Sequence, residues 1–118
     1  MTGKDILDFD DRQYETIEIP EWGRSIRVGT MGVLDRVRVE SSAAKLDTPE
    51  GNAAFQATVV QLTAYNGDGQ LLFAPEDIPA LQQKSATAIA KLFGAALRVN
   101  KMRAEDAEEM QRNFTGSR

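Results

Sequence analysis

The sequence predicts an α+β fold, mainly helical with about four helices, that carries a small N-terminal antiparallel β-hairpin. Three observations predict it. Apolar and polar residues alternate over Ile17-Glu18-Ile19 and again over Ile26-Arg27-Val28, with Pro20-Glu21-Trp22-Gly23 between the two runs. Period-two alternation on both sides of a connector containing proline and glycine is a hairpin signal. Farther on, Ile89, Leu92, Phe93, Ala96 and Leu97 fall at i, i+3, i+4, i+7 and i+8, which lines one face of an α-helix. Finally, 118 residues with 42% hydrophobic and 27% charged side chains suit one globular domain and are too few for two ordinary ones.

Taken in order, residues 1–14 are polar and acidic, with Ile6, Leu7, Phe9 and Tyr14 scattered through them. Such a segment buries little to offset its ordering entropy, so it reads as a flexible tail ahead of a single domain over residues 15–114. Leu7 and Phe9 are its candidate docking groups on a neighbouring copy or partner; the plainer reading is a frayed end. The hairpin is expected from about Thr16 to Val28, with Pro20 ending the first strand because it has no N–H for a ladder. Trp22 is the one tryptophan and sits in the turn. It is either an exposed anchor for a partner or, the commoner outcome, folded back over its own hairpin. Two strands are marginal alone, so helices or another strand must support them.

Thr30 is placed to cap a helix from about Met31 to Lys45, with Val33, Leu34, Val37 and Ala44 inward, although Val37, Val39 and Ser41-Ser42 are mediocre helix formers. Asp47-Thr48-Pro49-Glu50-Gly51 reads as a loop or cap. Asn52 to Ala64, with Phe55, Val59, Val60 and Leu62, reads by its length as a buried helix, while Thr58-Val59-Val60 keeps a strand open. Asn66-Gly67-Asp68-Gly69 is a turn, and Leu71, Leu72 and Phe73 form a short extended segment expected beside the hairpin. Pro75-Glu76-Asp77 opens a short helix ending near Lys84, with Ile78 and Leu81 as its apolar pair. Ser85 then caps the amphipathic helix, leaving Lys84, Lys91, Arg98 and Asn100 for the polar side. Met102 to Phe114 is expected as a last helix with Ala107, Met110 and Phe114 on one face, and residues 115–118 as a loose end.

With neither cysteine nor histidine, the chain has no disulfide framework, no thiolate, and neither the usual metal ligand nor the usual near-neutral acid/base. The carboxylates Asp8, Asp10 and Asp11, the pair Glu76 and Asp77, and Glu105, Asp106, Glu108 and Glu109 lie in the polar tail and in helix first turns. Solvated acids are the rule there, whereas a catalytic pair needs a pocket that drives two pKa values apart. An EF-hand register on Asn66, Asp68 and Gly69 puts Ala64 and Pro75 where carboxylates are required, so that stretch reads as a plain turn. No enzyme activity, cofactor or metal is expected.

Residues 1–22 carry seven acidic and two basic side chains, for −5, and the whole chain −4, so the remainder sums to +1. Nucleic acid is therefore not an expected partner. Arg24, Arg27, Arg36 and Arg38, interleaved with Asp35 and Glu40, read as a solvated face. No apolar run approaches the ~20 residues of a membrane span, and the acidic start is unlike a signal peptide. A cytoplasmic chain is expected.

One further pattern is a resemblance. Gly69-x-x-Leu72-Phe73-x-x-x-Asp77-Ile78-x-x-Leu81, then Lys84-Ser85, a helix ending Leu97-x-Val99-Asn100, and an acidic last stretch closing on Asn113-Phe114 follow in order after Pro20-Glu21-Trp22-Gly23. This series is similar to the tail assembly chaperones of long-tailed phages, the lambda G-type family. It spans most of residues 16–114, in patterns of ordinary residues rather than a catalytic signature. One departure is Gly32-Val33-Leu34-Asp35-Arg36, where the family leads one to expect a charged helix start with a glutamate-arginine pair.

The resemblance implies a non-enzymatic factor of virion morphogenesis in siphophages, acting in the host cell cytoplasm and not expected in the mature virion. Its implied client is the tape measure protein, kept soluble while tail tube subunits are recruited, the tube protein being engaged through a longer frameshifted form. This chain looks like the short form. Self-association is expected, since a long client needs many copies. Leu7, Phe9, Trp22, Leu71 and Phe73 are the candidate partner-binding residues. Two other classes fit the same size and lack of catalytic motif: a structural virion component, such as a head–tail connector or tail completion protein, and a small regulatory or antitoxin-like binding module.

Overall fold

The computed structural model describes residues 1–43 and 46–102. The expected helix after Met102, the end at 115–118, and Ala44 and Lys45 lie outside the described residues.

Strands β1 (Tyr14–Ile19) and β2 (Arg24–Gly29) pair antiparallel with Ile17 opposite Ile26 and Ile19 opposite Arg24. That register puts Ile17, Ile19, Ile26 and Val28 on one face; Ile19, Ile26 and Val28 are buried and Ile17 packs at the margin of the core. Between the strands Pro20–Trp22 forms a single 3₁₀ turn, with proline at a first-turn position where its missing N–H costs nothing. Gly23 closes the turn at φ 65°, a conformation that disfavours any Cβ, and donates its N–H to the Pro20 carbonyl at 3.0 Å.

Helix α3 (Pro49–Thr63) is the most enclosed element. Thr48 caps it, accepting the Gly51 N–H at 2.9 Å, and Phe55, Ala57, Val59, Val60, Gln61, Leu62 and Thr63 are buried. Its two buried polar side chains are satisfied: Thr63 donates to the Val59 carbonyl at 2.7 Å and Gln61 Nε2 to the Phe73 carbonyl at 2.9 Å. Thr58-Val59-Val60 is thus helical. The helix runs straight into β3 (Ala64–Tyr65), which pairs antiparallel with β2, giving the sheet order β1-β2-β3.

The strand paired with the hairpin is therefore Ala64-Tyr65, and Leu71–Phe73 reaches the hairpin through side chains alone. Leu71 bridges only to Tyr65, one strand farther out, and Leu72 donates its N–H to the Ala64 carbonyl at 2.9 Å. Between them Asn66 organises the expected turn, its Oδ1 accepting the N–H groups of Asp68 and Gln70.

A 3₁₀ turn at Pro75–Asp77 leads into α4 (Ile78–Leu81), and Ser85 caps α5 (Ala86–Val99) by accepting the Ala88 N–H at 3.3 Å. Ala88, Ile89, Leu92, Ala95 and Ala96 of α5 are buried against α3 and the hairpin. Phe93 and Leu97 sit at the edge of that face, where Phe93 meets Phe55 edge-on at a centroid distance of 5.9 Å. Asn100 does not belong to the polar side. It ends α5 with Nδ2 donating to the carbonyls of Ala96 (2.9 Å) and Gly29 (3.3 Å), while its Oδ1 accepts the Met31 N–H at 2.8 Å. One side chain thus joins the end of α5 to the chain leaving β2.

Helix α2 (Val33–Ser42) is shorter than expected and turned the other way. Its N-cap is Gly32; Thr30 instead accepts the Gln13 N–H through its hydroxyl. Val39, with Ala43 just beyond the helix, is buried, whereas Val33, Leu34 and Val37 are 84%, 63% and 49% exposed. At ~100° per residue, Val37 and Val39 point to nearly opposite sides, so only one of the two apolar sets can face α3. At the N-terminus, α1 (Gly3–Asp8) has a Thr2/Asp5 capping box and no buried residue.

Candidate functional site

The 3₁₀ turn swings Trp22 back along the hairpin, where it packs half-buried on the core margin. On the far side of β2 the chain returning from β3 brings Leu72 and Phe73 alongside, with the Phe73 carbonyl held by Gln61. Trp22, Ile26, Leu72, Phe73 and Leu81 wall a groove of about 490 Å³ between the hairpin tip and α4. Glu21, Arg24 and Lys84 line it as well. Glu21 Oε2 accepts the Ser85 hydroxyl at 3.4 Å, while Arg24 and Lys84 have no ion-pair partner among the described residues. The arrangement suits an apolar side chain flanked by acidic ones.

The opposite end of the hairpin is closed by aromatic and guanidinium groups. Tyr14 and Tyr65 meet edge-on at 5.5 Å, and the guanidinium of Arg27 lies 4.0 Å over the Tyr14 ring. Arg27 therefore leaves the expected solvated face: it stacks, and it also donates to the Gly67 carbonyl at 3.2 Å. Arg12 donates to the Gly69 carbonyl at 3.0 Å and holds the Asp10 carboxyl below its ordinary pKa through their hydrogen bond. Tyr65 donates to the Thr30 carbonyl at 3.2 Å, and burial pushes its pKa up. Gly29 is required here, because a Cβ would lie 2.8–2.9 Å from both tyrosine rings.

Of the five predicted partner-binding residues, the fold brings Trp22 and Phe73 into one groove and sets Leu71 at the outer sheet edge. Leu7 and Phe9 stand apart, 85% and 70% exposed, on and just after α1. Three of the candidate carboxylates have local partners: Asp8 pairs with Lys4 at 2.9 Å, Asp10 with Arg12 at 3.0 Å, and Asp77 accepts the Ala74 N–H at 2.8 Å; Glu105, Asp106, Glu108 and Glu109 lie outside the described residues. Among the described residues, no group of three or more carboxylates is placed to hold a metal ion, and no helix is long and apolar enough to cross a membrane.

No protein-family model matches the sequence, and no curated protein does. The fold, however, is similar to that of the bacteriophage HK97 tail assembly chaperone. The two superpose with a TM-score of 0.65 over 85% of this chain and 94% of that one, at 14% identity. At that identity the likeness to the HK97 protein carries the fold alone.

Two features of the surface escaped sequence reasoning. Ile26 and Leu81 belong to the groove wall, which no local pattern shows because the groove joins segments about fifty residues apart. The stripe Val33, Leu34 and Val37 is the second, its helical spacing having been read as a core face. The signal available was Val39, which the same helix must direct almost oppositely.

Proposed function

We propose that this chain is a phage tail assembly chaperone that binds the tape measure protein, keeps that client's apolar helices soluble, and helps recruit tail tube subunits during siphophage tail morphogenesis. The observation that carries the reading is the likeness of fold to the HK97 tail assembly chaperone over 85% of this chain. Two apolar surfaces left uncovered among the described residues support it: the Trp22–Phe73 groove and the outer stripe of α2. An amphipathic helix is the kind of partner such surfaces take. In this reading the protein works in the host cytoplasm in several self-associating copies, remains outside the finished virion, and reaches the tube protein through a longer frameshifted form.

Co-expression with the cognate tape measure protein tests this. The client's soluble fraction is expected to rise with the chain present, and Trp22→Ala is expected to cut that gain several-fold, with a melt of the variant separating a lost contact from lost folding because Trp22 also packs on the core margin. An equally insoluble client with and without the chain, together with recovery of the chain in purified particles, would replace the reading by that of a virion component.

A further inference from the structure

The chain leaves α5 at a fixed place and in a fixed direction. Lys101, at φ 56°, donates its N–H to the Arg98 carbonyl at 3.1 Å, and Met102 donates to the Leu97 carbonyl at 2.8 Å. This pair of bonds ends the helix and turns the chain off its axis. Met102 itself is buried. Because Asn100 Oδ1 accepts the Met31 N–H, Met102 and Val33 each stand two residues from one hydrogen bond. The chain beyond Met102 therefore sets out beside the first turn of α2, where Val33, Leu34 and Val37 are exposed.

The sequence of residues 103–114 complements that stripe. Helical spacing puts Ala107, Met110 and Phe114 on one face, and at ~100° per residue Asp106 and Glu108 fall to either side of it. On α2 the same count sets Arg36 and Arg38 to either side of Val33, Leu34 and Val37. Both arginines are shared with carboxylates of α2, Arg36 with Glu40 at 3.9 Å and Arg38 with Asp35 at 3.0 Å, and both side chains stay partly exposed. We propose that residues 103–114 form an amphipathic helix that docks on the outer face of α2 in the same chain. Ala107, Met110 and Phe114 then cover Val33, Leu34 and Val37, with Asp106 and Glu108 toward the two arginines.

The dimensions agree. Twelve helical residues run ~18 Å and the ten of α2 ~15 Å, so the segment, starting at the first turn of α2, passes all three exposed side chains. The groove at the hairpin tip is out of its reach, since Lys84 lies beyond the far end of α5, whose fourteen residues span ~21 Å. A short tether holds the segment at a local concentration on the order of millimolar, which favours its own α2 over any separate partner. The inference rests on neither the client nor the association of copies. For the client its consequence is that the stripe of α2 opens only when the segment leaves.

Thiol labelling of the full chain tests it, because the sequence has no cysteine of its own. A Leu34→Cys probe is expected to react with a maleimide roughly tenfold more slowly in the parent background than beside Met110→Asp/Phe114→Asp, since a covered thiol reacts only when the segment opens. The protection is expected to be equal at low and high chain concentration, as a contact within one chain requires. Val39→Cys, on the buried side of α2, is expected to stay unreactive in both backgrounds, which separates undocking from unfolding.

A second pair of variants reads the contact directly. Val37→Cys/Met110→Cys is expected to close an intrachain disulfide under mild oxidation, whereas Val37→Cys/Glu109→Cys, with its second thiol on the outer face of the segment, is expected to stay reduced. Should Val39→Cys react beside the two aspartates, this pair decides alone. Equal Leu34→Cys labelling in the two backgrounds would overturn the proposal by leaving the stripe open. Protection that grows with chain concentration would overturn it by assigning the stripe to a second copy, and equal oxidation of the two double-cysteine chains by denying the segment a preferred face. Client solubility in the co-expression assay is a separate readout, so the two readings can fail independently.

Discussion

Asn100 shows how much one polar residue does in this fold. Three groups depend on it: the Met31 N–H and the carbonyls of Gly29 and Ala96. Replacing it with alanine leaves the first two half-buried without that partner, and an unsatisfied buried group costs ~1–3 kcal/mol. Asn100→Ala is therefore expected to lower the urea midpoint by a corresponding amount with the slope of the transition unchanged. In the sequence this residue was indistinguishable from a solvated helix end. Asparagine at a C-terminus is common, and nothing local marks partners about seventy positions earlier.

At the scale of elements, α5 and α3 meet at Phe55 and Phe93. Phe55 is fully enclosed and Phe93 only partly, so the two truncations separate. Phe55→Ala is expected to cost ~3–5 kcal/mol, a large share of the roughly 5–15 kcal/mol of an ordinary domain, and Phe93→Ala clearly less. Thermal melts of both variants check the order; equal losses would mean that Phe93 is as enclosed as Phe55. The hairpin and α5 were legible because each repeats its period long enough to be counted and ends in a recognisable cap or turn, and α3 was legible by its length alone. Ala64-Tyr65 is too short to have a period. In α2 the pattern correctly marked a helix, but periodicity reports which residues share a face, not whether another element covers it. The groove was half legible for a related reason: Trp22 and Phe73 stood out by type, while their meeting depends on the path from β3 to α4.

At the scale of the whole molecule, an exposed ion pair joins the first strand to the last described helix. Glu15 accepts from Arg98 at 2.7 Å across 83 positions, and this hydrogen bond holds the Glu15 carboxyl below its ordinary pKa. A depressed pKa means that the contribution is present above the usual glutamate range and is lost as pH falls through the folded-state value. The stability difference between the parent and Glu15→Gln is thus expected to be constant from neutral pH down to that range and to vanish at more acidic pH, as urea titrations at several pH values would show.

The same long-range closure governs how the chain is born. Ile19, Ile26 and Val28 leave the ribosome early, but α5, which covers them, is complete only at Val99. At typical rates of synthesis the interval between Gly29 and Val99 is on the order of ten seconds. During that time the two strands have each other and little else, a marginal state for an isolated hairpin. On a crowded polysome the nascent chain therefore waits with its outer strand edges open to the same edges on its neighbours.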